Sequence, residues 1–516
     1  METLQAQENV QNLLHYWVNT RQSDSGEFGG KYDDDVEMLR WWPLARLALQ
    51  DSVALLGFQR LVNGIWNSSW IEKGFSSKVR DVEHSSEPVA DTQPIMIGLD
   101  YGNPIYVERC MQSAKGVRDL WTGINSRGHR HFKTSWYSAT QLDERPPRDC
   151  DVPMNTRTVQ AVRWLAWYNR HPFAVQFIRE WADAWLEDCR RTDRGKPYGI
   201  VPAAIRYHDD AIGGHGANWY EPGLFWTYYD FSGGHLMLQQ FLAAYDLLGD
   251  ARYLEPVETA IRLLAMYGAA ELDASQAGSE AWVVNKLRKA KSTGEVFHVW
   301  RTLSGNTGYD HLLQQFGSEY NKFLLSRDPS FLEATSRSMT EALTCQGELL
   351  TREGYFTDRI EIADLHSGQH WDTAHLEAIY TGASLNEAFY PFYAVTWQQL
   401  DRRCLPVVLS ATSEQVDLLV WNSSTEPQIA EMLLWRVAPG RYECLQGPDK
   451  NNDWQMDSTT TTQTITLSHR PAACRIVLAG RSATVVQVKR IEGTTMVLNW
   501  SRPDLALARE EIKATL

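Results

Sequence analysis

Residues 206–235 bring proton-transfer groups, aromatic rings and glycines together in one segment. Its histidines titrate near neutral pH, its tyrosines donate or accept protons, and its glycines allow the backbone to approach a ligand closely. The segment lacks the apolar periodicity of a core helix, so it predicts a site that transfers protons on a sugar. The alternative interpretation is an ordered loop between helices. The histidines are His208, His215 and His235.

Residues 26–43 place consecutive carboxylates beside a glycine turn. If a helix starts near Asp33, then Asp34 and Glu37 share a helical face with Trp41. Carboxylates beside an aromatic ring suit the binding of sugar hydroxyls. Helix capping is the structural alternative, and calcium is a weaker one because the spacing does not match an EF-hand loop. The predicted substrate contacts are Asp34, Glu37, Arg40 and Trp41.

Residues 115–133 form a basic stretch in an acidic chain, interleaved with aromatic rings and Asn125. Arginine side chains bind carboxylates bidentately, and asparagine or histidine can share a proton with a uronate carboxylate. The stretch therefore predicts contact with an anionic sugar, through Arg127 and His131 as binding residues and Asn125 and His129 as catalytic ones. A solvated charged surface is the alternative.

Two later segments, residues 298–311 and 355–375, again combine histidines, arginines and aromatic rings between helices. They add predicted substrate contacts. His366, His370 and Asp372 also have ligand types that suit a metal, but their spacing is irregular. We therefore predict no catalytic cofactor and keep a structural divalent cation as an alternative. The predicted substrate contacts are Arg301, Tyr309, Arg359, His370 and Trp371.

The composition limits the class of protein. The chain has 516 residues, is 43% hydrophobic and carries a net charge of −14. A negative surface argues against general nucleic-acid binding, and no apolar stretch approaches the roughly 20 residues that span a bilayer. Residues 1–7 lack the features of a signal peptide, which leaves open a cytoplasmic location or export with the signal removed. Nothing in the sequence indicates an oligomeric state.

From about residue 35 to 400, amphipathic helices alternate with connections rich in Gly, Pro and Asp. Three helix junctions resemble one another, each predicted to end a helix near Tyr168, Tyr245 or Tyr320, and these tyrosines are 77 and 75 residues apart. The repeat predicts stacked helix pairs that close into a ring. The expected fold is mainly α, an (α/α)n toroid or incomplete barrel over residues 1–400, whose loops bring the candidate residues together over a central cavity.

After about residue 400 the hydrophobic period changes to two. This predicts a small antiparallel β-sandwich over residues 401–516. Cys444 and Cys474 lie in this region and can pair. The predicted strands are Val416–Trp421, Glu431–Val437, Thr464–Leu467, Cys474–Leu478 and Ser482–Lys489.

A helical region followed by a β-sandwich resembles polysaccharide lyases of the α/α-toroid type. Within it, Gly213-Gly214-His215-Gly216 followed by Trp219-Tyr220 and Tyr228 resembles the segment in which those lyases place a histidine and then a tyrosine. About thirty residues carry this likeness.

The resemblance implies β-elimination on a uronic-acid-containing anionic polysaccharide or oligosaccharide. His215 would remove the C5 proton, and Tyr220 or Tyr228 would protonate the departing oxygen. Asn125, His129 or an arginine would stabilise the charge that develops on the carboxylate. Trp219 would contact the substrate.

Two other functions stay open. A glycoside hydrolase on the same fold would use paired carboxylates as acid and base. A non-catalytic glycan-binding protein would keep the aromatic rings but would need no histidine and tyrosine pair. The hydrolase would draw its two carboxylates from Asp34, Asp35, Glu37, Asp209, Asp210 and Glu221.

Overall fold

The computed structural model describes residues 2–29, 32, 35–36, 49–223, 234–268, 273–290, 292–351, 374–383, 390–468 and 470–493. The chain divides into two compact units. The central unit spans Ile65–Gly317, and the split unit combines the described residues of 1–64 and 318–493. The predicted boundary near residue 400 lies where helices give way to strands, but as a domain boundary it stays a prediction.

Helices dominate the central unit, and their sequences explain them. In Pro172–Arg190, proline occupies the first turn, and Phe177, Trp181 and Trp185 recur every four residues on one buried face. The α-helices are Val82–Ala90, Gln93–Leu99, Pro104–Gly116, Asn155–Thr158, Gln160–Asn169, Pro172–Arg190, Gly234–Leu248, Glu255–Tyr267, Glu280–Lys289, Thr293–Ser304 and Asp310–Phe316. A π-helical turn, Val117–Trp121, and two 3₁₀ turns, Asp193–Gly195 and Ala251–Leu254, add to them.

Short antiparallel strands join the helices of the central unit. Two of these small sheets position the candidate site: the hairpin of Thr122–Ile124 with Arg130–Phe132, and the three strands Cys150–Asp151, Ile205–Arg206 and Ala211–Ile212. The other pairs are Ile71–Glu72 with Phe75–Ser76 and Arg80–Asp81 with Trp136–Tyr137.

The split unit packs helices from both ends of the chain against each other, as Glu2–Tyr16 does with Ser330–Thr351. The third predicted helix junction is only partly correct, because Tyr320 lies at the start of a helix and not at its end. Ser318 caps that helix through a hydrogen bond to the Asn321 amide. The helices that begin in this unit are Glu2–Tyr16, Trp17–Arg21 (a π-helical turn), Ser52–Trp66, Glu319–Ser326, Ser330–Thr351 and Ala374–Thr381.

Two antiparallel sheets complete the split unit. In Ala472–Leu478 buried and exposed residues alternate strictly, as expected when one face of a sheet is covered. A disulfide between Cys444 and Cys474 links the two sheets. The five-stranded sheet has the order Cys404–Ala411, Gln415–Asn422, Ser482–Gly493, Gly440–Asp449 and Thr461–Leu467, and the three-stranded sheet has the order Val395–Gln398, Gln428–Leu434 and Ala472–Leu478.

A mainly helical chain with a strand-rich C-terminal region is therefore confirmed, whereas closure of the helices into a toroid is not. Three strands were missed: Val395–Gln398, Cys404–Ala411 and Gly440–Asp449. The last contains Gly, Pro and Asp, which usually mark turns, but it pairs on both sides within the sheet. Among the described residues, no helix is both long and apolar enough to cross a membrane.

Candidate functional site

A β-hairpin presents the first group of candidate residues. Its turn runs from Asn125 to His129, where the Asn125 amide donates to the His129 carbonyl at 2.8 Å, and Gly128 adopts a positive φ of 84°. The Asn125 side-chain oxygen accepts the amide protons of Arg127 and His129, each at 3.0 Å. His131 follows on the second strand. The hairpin thus holds Asn125, Arg127, His129 and His131 in one place, while their predicted roles stay predictions.

The helix Pro172–Arg190 supplies the second group. Residues 181, 185 and 188 fall on one face of an α-helix because they are four and three positions apart. The indoles of Trp181 and Trp185 therefore point the same way as Asp188. Glu187, one position earlier, is exposed.

The third contribution is Asp210, in the turn between the strands Ile205–Arg206 and Ala211–Ile212. Its φ is +61°, a left-handed conformation that aspartate tolerates better than most residues. The turn buries the Asp210 side chain completely. We call His129, His131, Asp188 and Asp210 the His–Asp cluster.

His131 lies at the centre of the His–Asp cluster and is fully buried. Its Nδ1 donates to Asp151 Oδ2 at 2.9 Å, while Nε2 lies 3.2 Å from Asp188 Oδ2 and 3.5 Å from Asp210 Oδ1. Burial lowers the pKa of His131, but the hydrogen bond to Asp151 and the negative charges of Asp151 and Asp188 outweigh burial and raise it to about 10. Burial raises the pKa of Asp188.

The carboxylate of Asp151 fixes the orientation of His131. Besides the His131 proton, this carboxylate accepts hydrogen bonds from the indoles of Trp181 at 2.8 Å and Trp185 at 3.0 Å. It also accepts one from the side-chain amide of Asn155 at 2.8 Å. A buried carboxylate needs such partners, because an unpaired charge is costly in an apolar interior. Asp151 therefore determines which nitrogen of His131 faces Asp188 and Asp210.

His129 and Asn125 hold Asp210 from the other side. His129 Nδ1 lies 3.2 Å from Asp210 Oδ2, and His129 Nε2 lies 3.0 Å from exposed Glu187. Asn125 donates a short hydrogen bond to Asp210 Oδ1. The Asp210 hydrogen bond raises the pKa of His129. Burial alone would raise the pKa of Asp210, but its histidine and asparagine partners lower it overall, so Asp210 is a carboxylate at neutral pH.

Two arginines border the cluster. Arg191 donates from one nitrogen to Asp188 Oδ1 and to Asp210 Oδ2, both at 2.9 Å. The Arg127 side chain lies 3.4 Å from Asp210 Oδ2 and is 48% exposed. Arg127 is therefore anchored at one end of its guanidinium and open to a ligand at the other.

His215 occupies a separate position, on the glycine-rich loop after Ala211–Ile212. Its Nε2 lies 2.6 Å from the buried Asp149 carboxylate, and 23% of its side chain is exposed. The loop requires its glycines. A Cβ on Gly216 would lie 1.5 Å from the Glu221 carbonyl oxygen, and one on Gly213 would lie 2.1 Å from that of Asn218. At Gly213 and Gly216 no residue with a side chain would fit, so these glycines allow the loop conformation that positions His215.

Trp219 and Tyr220 follow this loop. Trp219 is only 1% exposed, so the prediction that it contacts a substrate does not fit this structure. Tyr220 is half-buried and lies against Trp282, with ring centroids 5.0 Å apart. His131 is also a poor substrate contact, because it lies completely beneath the surface and serves the cluster instead.

The remaining predicted residues lie elsewhere or outside the described part. Arg301 pairs with Asp310 at 2.5 Å, and Tyr309 packs on Trp300. Among the described residues, no hydrogen bond or ring contact joins these two to the His–Asp cluster. His235 lines an apolar cavity of about 250 Å³. Outside the described residues are Asp34, Glu37, Arg40, Trp41, Tyr228, Arg359, His366, His370, Trp371 and Asp372.

Sequence reasoning missed Asp149, Asp151, Asp188 and Arg191. Each lies in an ordinary helix or loop pattern, where a single acidic or basic residue carries no signal. The spacing of Trp181, Trp185 and Asp188 on one helical face was the available clue. No known protein-family model matches the chain, and no curated protein is significantly similar to it.

Proposed function

We propose that the protein is a polysaccharide lyase that cleaves a uronic-acid-containing anionic polysaccharide by β-elimination. The observation that carries the proposal is the pair of His215 and Asp149, 2.6 Å apart. It places a partly exposed histidine beside a buried carboxylate, at the end of a loop built by glycines. A histidine oriented in this way on a glycine-rich loop can act as a general base.

Asp149 favours one tautomer of His215. The buried carboxylate accepts the proton on Nε2, which leaves the lone pair on Nδ1. No described residue forms a hydrogen bond with Nδ1, and in this proposal that nitrogen faces the substrate. Asp149 also stabilises the imidazolium that forms once His215 has taken a proton.

In the proposed reaction, His215 Nδ1 takes the proton from C5 of the uronate. The electrons of the broken C–H bond form the C4–C5 double bond, and the C4–O4 bond breaks. Tyr220 donates its proton to the departing oxygen, a role for which Tyr228 is the alternative. Each proton transfer contributes roughly 10²- to 10⁴-fold to the rate.

Arg127 is the cation that we assign to the uronate carboxylate. Its guanidinium is half-exposed, and a planar arginine fork suits a carboxylate. Asn125 and His129 are already bound to Asp210, so in this proposal they position Arg127 and do not themselves neutralise the substrate. His215 follows Asp210 by five residues, which limits their separation to about 17 Å of extended chain.

The hydrolase alternative has less support. A glycosidase needs one carboxyl group with a raised pKa as its general acid. The pKa of Asp209 is lowered by its ion pair with Arg206, and that of Asp210 is also lowered. Asp35 is buried and accepts the Phe28 amide, and Glu221 is exposed beside Asn218. Asp34 and Glu37 lie outside the described residues.

The closed α/α toroid belongs to the same proposal. Consecutive helices of the central unit pack on each other, as Gln160–Asn169 does with Pro172–Arg190 and Glu255–Tyr267 does with Glu280–Lys289. Such pairs are the building unit of a helical ring.

The first experiment is incubation with hyaluronan, chondroitin, heparan, alginate, glucuronan and ulvan. We expect one or more of them to yield products with the ultraviolet absorbance of an unsaturated uronate. New reducing ends without that absorbance would replace the lyase with a hydrolase. Binding of a polysaccharide without any cleavage would make the protein a glycan-binding protein.

A further inference from the structure

We propose that His129, His131, Asp188 and Asp210 bind a divalent transition-metal ion. One potential ligand atom from each of the four side chains lies within 4.8 Å of the others. The four come from a hairpin, a helix and a turn, so the fold brings them together from distant parts of the sequence. This inference does not rest on the proposed lyase activity.

The distances within the His–Asp cluster match those between ligands of one ion. His131 Nε2 lies 3.2 Å from Asp188 Oδ2 and 3.5 Å from Asp210 Oδ1, and His129 Nδ1 lies 3.2 Å from Asp210 Oδ2. Metal bonds of about 2.1 Å at tetrahedral angles put neighbouring ligand atoms about 3.4 Å apart. These three separations are those of neighbouring ligands on one ion, with Asp210 offering a different oxygen to each histidine.

Two of the candidate ligand atoms lack a hydrogen bond. His131 Nε2 and Asp188 Oδ2 are completely buried, and neither forms a hydrogen bond with any described residue despite their separation of 3.2 Å. Buried polar atoms are almost always satisfied, and an exception calls for an explanation. A cation between these two atoms satisfies both at once.

The surrounding residues prepare the ligands. Asp151 accepts the proton of His131 Nδ1 and so directs Nε2 towards the cluster, which is the usual support for a metal-binding histidine. Arg191 binds Asp188 Oδ1 and leaves Oδ2 for an ion. His129 is 13% exposed and lies 3.0 Å from exposed Glu187, so the cluster reaches the surface at this histidine.

The two other groups of potential ligands are less suitable. In the group of Asp81, Glu83 and His84, the histidine is 39% exposed and its Nδ1 contacts both oxygens of Asp81, at 3.0 and 2.8 Å. In the group of Asp149, Cys150 and His215, burial raises the pKa of the Cys150 thiol. A thiol that stays protonated is a poor ligand.

The ligand set also selects the ion. Two imidazoles with two carboxylates suit Zn²⁺ or Mn²⁺, whereas Ca²⁺ and Mg²⁺ prefer oxygen ligands alone. We therefore expect the full-length chain, after dialysis against a chelator, to bind one Zn²⁺ or Mn²⁺ ion in isothermal titration calorimetry. Ca²⁺ should bind far more weakly.

Metal binding by substituted proteins tests whether the ion lies in the His–Asp cluster. Asp188→Asn and His129→Gln should each weaken binding by at least about 10- to 100-fold, and both should abolish the visible absorption of the Co²⁺-loaded protein. His84→Gln, in a comparable histidine and carboxylate group, should bind like the wild type. Because His129 is partly exposed, its variant remains informative if Asp188→Asn does not fold, which circular dichroism would reveal.

The proposal is overturned if the wild type binds neither Zn²⁺ nor Mn²⁺ stoichiometrically. It is also overturned if folded Asp188→Asn and His129→Gln bind normally, or if His84→Gln loses the ion. Polysaccharide cleavage has its own assay, so a failure of the metal site and a failure of the proposed lyase activity can be told apart.

Discussion

Asp151 accepts the Nδ1 proton of His131 at 2.9 Å while holding the indole protons of Trp181 and Trp185 on the same oxygen. One buried oxygen, Asp151 Oδ2, thus holds His131 against the face of the helix Pro172–Arg190 that carries Trp181 and Trp185. The position of the whole His–Asp cluster depends on this contact, since His131 contacts Asp188 and Asp210 through its other nitrogen.

Replacing Asp151 by Asn should therefore destabilise the protein strongly. The uncharged amide of asparagine cannot compensate the positive charge of His131. If its NH₂ group takes the place of Oδ2, it also faces the Trp181 and Trp185 N–H groups, which are donors themselves. Breaking a buried ion pair costs about 3–5 kcal/mol. Urea unfolding of the wild type and of Asp151→Asn would measure the loss of unfolding free energy. The matched control is Asp250→Asn, which weakens an ion pair with half-exposed Arg252 and should cost about 1 kcal/mol or less. Equal effects of the two substitutions would contradict this role of Asp151.

Activity should depend on the His215 and Asp149 pair. On a polysaccharide that the wild type cleaves, His215→Asn should lower kcat by roughly 10²- to 10⁴-fold, because it removes the proposed base. His15→Asn is the control, since His15 also pairs with an aspartate, Asp51, at 2.6 Å. That variant should keep wild-type kcat. Full activity of His215→Asn would remove His215 from the mechanism.

The pair of His84 and Asp81 should make stability depend on pH. The hydrogen bond to Asp81 raises the pKa of His84 from 6.5 to about 9. The folded protein therefore binds the extra proton between these values, so the contribution is complete below pH 6.5 and is lost as pH rises through about 9. His84 is 39% exposed, so we expect only about 0.5–1 kcal/mol.

The measurement is the difference in unfolding free energy between the wild type and His84→Gln, on either side of this pH window. The difference should be present at the acidic end and vanish at the alkaline end. A constant difference would show that His84 contributes through packing and not through its charge.

The disulfide between Cys444 and Cys474 should stabilise the strand-rich region. It closes a loop with a sequence separation of 30, for which the chain-entropy model gives about 3–4 kcal/mol. Reduction of the wild type should lower its Tm, and the double variant Cys444→Ala with Cys474→Ala should have a similarly low Tm. A reductant should not shift the Tm of the double variant further. A wild-type Tm that is indifferent to reductant would contradict the prediction.

The sequence alone indicated which segments are candidates for chemistry and where helices give way to strands. Asn125, Arg127, His129 and His131 could be grouped in advance because they share one short hairpin, and contacts within a hairpin follow from local sequence. Most of the strands after residue 400 were recognisable from their period of two, although Cys404–Ala411 and Gly440–Asp449 were missed. His215 was identifiable because the glycines around it have no role in a regular helix or strand.

Only the tertiary structure decided which side chains the candidate residues contact. Asp210 is separated from His129 by 81 positions and Asp151 from His131 by 20, so the local sequence did not show that either aspartate meets a histidine. Their importance arises from burial, which removes water and makes each carboxylate depend on a particular donor. Burial likewise leaves almost none of the His131 and Trp219 side chains at the surface, where a substrate would bind. Residue types determined the candidate chemistry, and packing decided which side chains can take part in it.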